Sequence, residues 1–129
     1  MAAINGTIYN DVLKGTLWRD VIYGYEGNDV LYGYAGGDAF YAGAGNDTVY
    51  GGDGDDYIVG ESGDDVLYGQ AGNDYIGVES GTNVLDGGAG EDRLYANGGN
   101  NILLGGVGDD ADEYRLYGGK IPSSMRMTA

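Results

Sequence analysis

The sequence predicts an all-β chain made of short repeated units, each a tight turn followed by a brief strand, and three observations carry that prediction. An acidic or amide residue recurs every nine positions, at Asp11, Asp20, Asp29, Asp38, Asp47, Asp56, Asp65, Asp74, Asn83, Asp92, Asn101 and Asp110, without an insertion. Two places after each comes an apolar residue through position 103: Leu13, Ile22, Leu31, Phe40, Val49, Ile58, Leu67, Ile76, Leu85, Leu94 and Leu103. Two places before most of them stands a glycine, from Gly27 through Gly36, Gly45, Gly54, Gly63, Gly72, Gly81, Gly90 and Gly99 to Gly108. A fixed period of this length outranks local propensity and is the mark of a repeat architecture.

Each part of the unit has a physical reason. In Gly51 to Val59 the order is Gly-Gly-Asp-Gly-Asp-Asp-Tyr-Ile-Val. Six residues favour a turn, where glycine permits positive φ and close backbone approach. The remaining three favour extended structure. One inward side chain per unit is expected, from the apolar position.

These residues closely resemble the RTX (repeats-in-toxin, hemolysin-type) nonapeptide G-G-x-G-x-D-x-U-x, over Gly6 to about Asp110. One G-x-G-x-D is weak evidence, whereas ten in register are strong. The resemblance implies a right-handed parallel β-roll of about six coils, two nonapeptides per coil, with Ca²⁺ in the turns. Alternate units then stack on one edge about 4.8 Å apart.

One edge takes the turns ending in Asp38, Asp56, Asp74, Asp92 and Asp110, and the other those ending in Asp29, Asp47, Asp65, Asn83 and Asn101. Ca²⁺ wants six to eight oxygens. Carboxylates of successive turns and the Gly-rich arms are the implied donors. The glycines of those arms are Gly27, Gly36, Gly45, Gly51, Gly52, Gly54, Gly63, Gly72, Gly87, Gly88, Gly90, Gly105, Gly106 and Gly108. About six or more ions are expected, with turns at Asn83 and Asn101 weak or empty because Asn brings no charge.

Composition supports the same chemistry. The chain of 129 residues carries a net charge of −15, with 28 glycines and six Lys plus Arg. Such a charge repels nucleic acid and anionic membrane surfaces and attracts cations. Without cations, a Gly-rich acidic chain has the composition of disorder, so folding is expected to be coupled to Ca²⁺. No run approaches transmembrane length.

The chain divides into 1–23, two atypical and metal-poor units; 24–110, the calcium-binding roll; and 111–129, a closing strand and tail. Tyr9 and Trp18 stand where the turn glycine belongs and are expected to cover the open end of the core, as terminal repeats commonly do. After Gly108 the period slips. A shift of two residues places Tyr114 and Leu116 inward, making a closing strand before Gly118.

Catalysis is not expected. There is no His and no Cys, and neither Ser62 nor Ser80 lies in a G-x-S-x-G elbow. The Asn5 and Asn46 glycosylation triplets read as chance, and no regular Thr array marks an ice-binding face. Outward rows such as Tyr32, Tyr50 and Tyr68 form a flat aromatic face, by β-propensity alone or as a contact surface.

The functional expectation is a non-enzymatic, extracellular, structural roll that folds on Ca²⁺ and associates with itself, end to end, into oligomers or filaments, because exposed strand edges pair by default. The alternative is an accessory module of a larger secreted protein that binds polysaccharide or assists type I secretion.

Overall fold

The computed structural model describes residues 1–107 and the strand 113–117. Among the described residues thirteen strands fall into two parallel sheets. One contains β1 (Ala2–Asn5), β3 (Asp20–Tyr23), β5 (Ala39–Tyr41), β7 (Tyr57–Val59), β9 (Tyr75–Val78), β11 (Arg93–Asn97) and β13 (Glu113–Tyr117), in that spatial order. The other contains β2 (Val12–Lys14), β4 (Val30–Tyr32), β6 (Thr48–Asp53), β8 (Val66–Ala71), β10 (Val84–Asp86) and β12 (Ile102–Leu104). Consecutive strands therefore alternate between sheets, and the chain is a β-solenoid of about six turns, as the RTX resemblance implies.

Register follows the period. Ile22 lies opposite Phe40, Phe40 opposite Ile58 and Ile58 opposite Ile76 in one sheet, while Leu31, Val49 and Leu67 align in the other. The last pairing departs from it: Leu94 lies opposite Tyr114 and Ala96 opposite Leu116, two residues beyond the spacing used elsewhere. That is the slip the displaced apolar residues predict.

The expected single inward side chain per unit is too few. Because side chains alternate along a strand, the turn aspartate, the apolar residue and the first residue of the next unit all face inward. Ala42, Val78 and Ala96 occupy that third place and join the core of Ile22, Leu31, Phe40, Val49, Ile58, Leu67, Ile76, Leu85, Leu94 and Leu103. Most units have glycine there, so the residue is a spacer in the core as well as part of the turn. The sequence signal was the sporadic Ala or Val at this glycine position.

Tyr9 and Trp18 do not cover the core. They are 72% and 75% exposed, on turns at the two edges of the first coil, and the partly buried Ile4 and Leu13 pack against the core instead. The physical reason lies in the stacking. In later coils the residue at this place sits against the backbone of the coil before, so that a Cβ on Gly36 would lie 2.6 Å from the Trp18 carbonyl carbon. Among the described residues no backbone of an earlier coil stacks against Tyr9 and Trp18 in this way, and their side chains point outward.

Outward Tyr side chains form ladders. Ring centroids are 5.1 Å apart for Tyr32 and Tyr50, 5.2 Å for Tyr50 and Tyr68, and 5.0 Å for Tyr57 and Tyr75, with interplanar angles of 7°, 9° and 10°. The ring faces therefore cover one another. Solvent meets their edges and hydroxyls.

Candidate calcium centre

The site begins with the last residue of each turn. Its position just before the strand turns its side chain inward, and Asp29, Asp38, Asp47, Asp56, Asp65, Asp74 and Asp92 are all buried. One carboxylate oxygen of each serves the backbone. Asp38 Oδ1 accepts from the Asp20 N–H at 2.8 Å, Asp56 Oδ1 from Asp38 N–H at 2.8 Å, and Asp74 Oδ1 from Asp56 N–H at 2.8 Å. Asp92 continues that edge, accepting from Asp74 N–H at 2.9 Å, and on the other edge Asp29, Asp47 and Asp65 do the same at 2.7, 2.8 and 2.9 Å. Each coil is thereby pinned to the next by a side-chain ladder parallel to the main-chain one.

The second oxygen has a different fate. Oδ2 points across the turn at the first glycine of its own unit, and a Cβ built on Gly51 would lie 2.5 Å from Asp56 Oδ2. Gly87 stands in the same relation to Asp92. In Asp29, Asp38, Asp47, Asp56, Asp65 and Asp74 this buried oxygen has no hydrogen-bond partner. A buried carboxylate oxygen without a donor is costly, and the group must take a proton or a cation.

The electrostatics express that demand. Burial, against a counteracting backbone hydrogen bond and reinforced by neighbouring carboxylates, pushes Asp56 up to about 8, Asp47, Asp65 and Asp74 to about 7, and Asp38 to about 6. Asp29 is raised for the same first reason, its burial.

The glycines divide by task. Gly27, Gly36, Gly45, Gly54, Gly63, Gly72 and Gly90 have φ between 97° and 124° and stack backbone against backbone between coils. Gly52, Gly88 and Gly106 share a second positive-φ place, with φ of 96°, 87° and 87°. That place is also held by Tyr25, Tyr34, Glu61 and Gln70, whose φ of 66° to 75° is rare for non-glycine residues. Gly105 is described as buried at the start of its unit, whereas Gly108 and Asp110 lie outside the described residues.

No three carboxylate, imidazole or thiol side chains converge among the described residues. A cation held between successive turns would therefore take one or two aspartates, and the balance of the six to eight oxygens that Ca²⁺ requires would come from backbone carbonyls and water. The orphaned Oδ2 atoms and the open glycine arms fit that donor set. When bound, the ion supplies positive charge to the buried carboxylates.

A second ladder escaped the sequence reading. Outside the buried aspartates, Asn10 Oδ1 accepts from Asn28 N–H at 2.7 Å, Asn28 from Asn46 at 2.8 Å, Asn46 from Asp64 at 2.9 Å and Asp64 from Thr82 at 2.8 Å. Asp55 and Asn73 do likewise on the opposite edge, toward Asn73 at 2.8 Å and Glu91 at 3.0 Å. The signal was the Asn or Asp standing directly before the repeat aspartate.

Fold and site together define a parallel β-solenoid with acidic, glycine-built turns whose carboxylates are prepared for cations. The family model of the RTX calcium-binding nonapeptide repeat, in four copies, matches residues 5–40, 15–49, 32–67, 41–76 and 78–111. The chain belongs to that family, and its repeats are calcium-binding repeats. No curated protein and no solved structure matches the chain.

Proposed function

We propose that this chain is a non-enzymatic, extracellular structural roll that folds when Ca²⁺ loads its turns and then associates with further copies through its end. The observation that carries the reading is the set of six buried Oδ2 atoms without a donor. Successive turns would share ions between Asp38 and Asp56, Asp56 and Asp74, Asp74 and Asp92, and Asp92 and Asp110 on one edge. Asp29 with Asp47 and Asp47 with Asp65 would do so on the other, giving about six ions. Extracellular use is supported by the family, whose repeats are typical of secreted proteins.

Self-association is supported by the first coil. Strands β1 and β2 are the outermost strands of their sheets, and Ile8, Val12, Leu17 and Trp18 beside them are exposed. Unpaired edges with apolar neighbours favour pairing between chains. The polysaccharide reading gains less support, because stacked Tyr rings offer edges rather than open faces to a sugar ring.

Sedimentation and far-UV circular dichroism on one sample test the proposal, before and after Ca²⁺ and then with chelator. Gain of β-signal with growth in mass is expected. A β-signal without growth in mass removes the self-association, and no response to Ca²⁺ removes the whole proposal.

A further inference from the structure

We infer that the turns at both ends of one edge, and at the start of the other, are closed by the chain's own side chains in the place of a cation. Ions are therefore confined to the turns between these closures, and the two edges load unequally. The inference rests on the calcium reading of the aspartate turns and adds which turns take no ion.

In the first coil the substitute is threonine. Asp11 Oδ2, the oxygen left without a donor in later turns, accepts the Thr7 N–H at 2.6 Å and the Thr7 hydroxyl at 2.9 Å. Asp20 Oδ2 accepts the same pair from Thr16 at 2.6 and 2.9 Å. The hydroxyls also accept from Tyr9 N–H and Trp18 N–H at 3.0 and 3.1 Å, which fixes the turn locally. Thr7 and Thr16 occupy the place that has positive φ in the aspartate turns, yet neither is among the positive-φ residues. Turning that peptide the other way aims its N–H at Oδ2, whereas the positive-φ turns aim no donor there.

At the other end the substitute is asparagine. Asn83 and Asn101 keep the Oδ1 ladder, accepting from Asp65 N–H at 2.7 Å and Asn83 N–H at 3.0 Å. Where Asp would present Oδ2 they present an amide, which donates to Ser80 O at 2.9 Å and Gly98 O at 2.6 Å respectively. Asn83 Nδ2 also donates to Asn101 Oδ1 at 2.9 Å. A donor aimed at a turn carbonyl removes both the charge and one of the oxygens a cation would use. Glu79 and Asn97, at the place that is positive-φ in aspartate turns, are again not among the positive-φ residues.

Two unrelated devices thus answer the same atom, and both coincide with a changed backbone at the same place in the unit. On the edge of Asp11, Asp29, Asp47, Asp65, Asn83 and Asn101, three aspartates with orphaned Oδ2 lie between a threonine closure and two asparagine closures. The opposite edge has a threonine closure at its start, and its aspartates continue through Asp38, Asp56, Asp74 and Asp92.

Native mass spectrometry of the Ca²⁺-loaded full chain counts the ions. The double variant Asn83→Asp with Asn101→Asp is expected to gain about two ions, one for each newly acidic turn pair. Unchanged counts in an asparagine double variant whose circular dichroism matches the parent overturn the inference. Anomalous scattering from Ca²⁺ in crystals of the unmutated chain is independent of any variant's folding. Peaks are expected beside Asp38, Asp47, Asp56 and Asp74, and a peak in the Thr7, Thr16, Ser80 or Gly98 turn overturns the inference. A parent chain that binds no Ca²⁺ fails the calcium reading itself, which takes this inference with it.

Discussion

The first coil and the coils that follow share one ladder and one core, but they answer the second oxygen of the turn carboxylate differently. At Asp11 and Asp20 a neighbouring threonine supplies N–H and hydroxyl, so the coil closes with what the chain carries. From Asp29 to Asp74 the same oxygen is buried and has no donor. The middle of the molecule therefore leaves these buried oxygens unanswered by the polypeptide itself. A structure can be periodic in backbone and uneven in what stabilises it.

The largest expected effect comes from removing the cation. With chelator at pH 8 the central turns carry uncompensated buried charge, and far-UV circular dichroism should show loss of most β-signal. Protons should partly replace Ca²⁺. Burial pushes Asp38, Asp47, Asp56, Asp65 and Asp74 up to about 6 to 8 in the folded chain, from an ordinary value of 3.8. A pKa raised on folding favours the folded state fully below the unfolded value and loses that contribution as pH rises through the folded one. Metal-free chain should accordingly regain β-signal as pH falls from 8 toward 4, and Ca²⁺ binding near neutral pH should release protons. An apo signal that weakens on acidification would contradict the origin assigned to these shifts.

Next comes a single central carboxylate. Asp56→Ala and Asp56→Asn should each lose about two ions, because one aspartate serves the turns on both sides. Asn keeps the acceptor for the Asp38 N–H, so urea unfolding in saturating Ca²⁺ should find the Ala variant weaker by about a further 1 kcal/mol. Equal stabilities for the pair would remove the ladder from the account.

Glycine substitutions sharpen the comparison at smaller scale. Gly54 has φ of 113°, and a Cβ there would run into the Gly36 carbonyl, so Gly54→Ala should cost at least about 2 kcal/mol. Gly77 has ordinary φ and its Cβ would meet the end of the Tyr75 ring at 3.3 Å, so Gly77→Ala should shift thermal stability by less than about 1 kcal/mol. The smallest effect is expected at the first coil's tip. Trp18→Ala should change monomer stability by no more than about 0.5 kcal/mol, since the side chain is 75% exposed. Under the proposed self-association it should nevertheless lower the mass seen in sedimentation.

Much of the fold was legible because the period leaves little freedom. Nine residues per unit and alternation of units between sheets follow from the aspartates and the apolar residues two places on, and even the slip before Tyr114 was visible as Asp112 in an apolar position. Which carboxylates share the turn register was legible for the same reason, but that they face inward was not, because one inward side chain per unit was expected. Other features were hidden because they depend on which way one peptide faces. The role of Thr7 and Thr16 appears only when their N–H groups are seen aimed at Asp11 and Asp20. Asn46 was read only as a chance glycosylation triplet, and the ladder it forms with Asn10 and Asn28 appears once units eighteen residues apart are placed in contact. Trp18 misled because a large apolar residue at the end of a core suggests a lid, whereas its turn directs it away.

The register of eighteen residues between stacked neighbours also sets a rule for how such a chain can grow. Duplicating one full coil of eighteen residues lengthens the rod by a single step of about 4.8 Å and leaves every later residue on its own edge. Duplicating a single unit of nine moves everything after it to the opposite sheet, carrying Asn83 and Asn101 onto the edge where Asp74 now stands. Lengthening by whole coils preserves both edges as written, and lengthening by half a coil exchanges them.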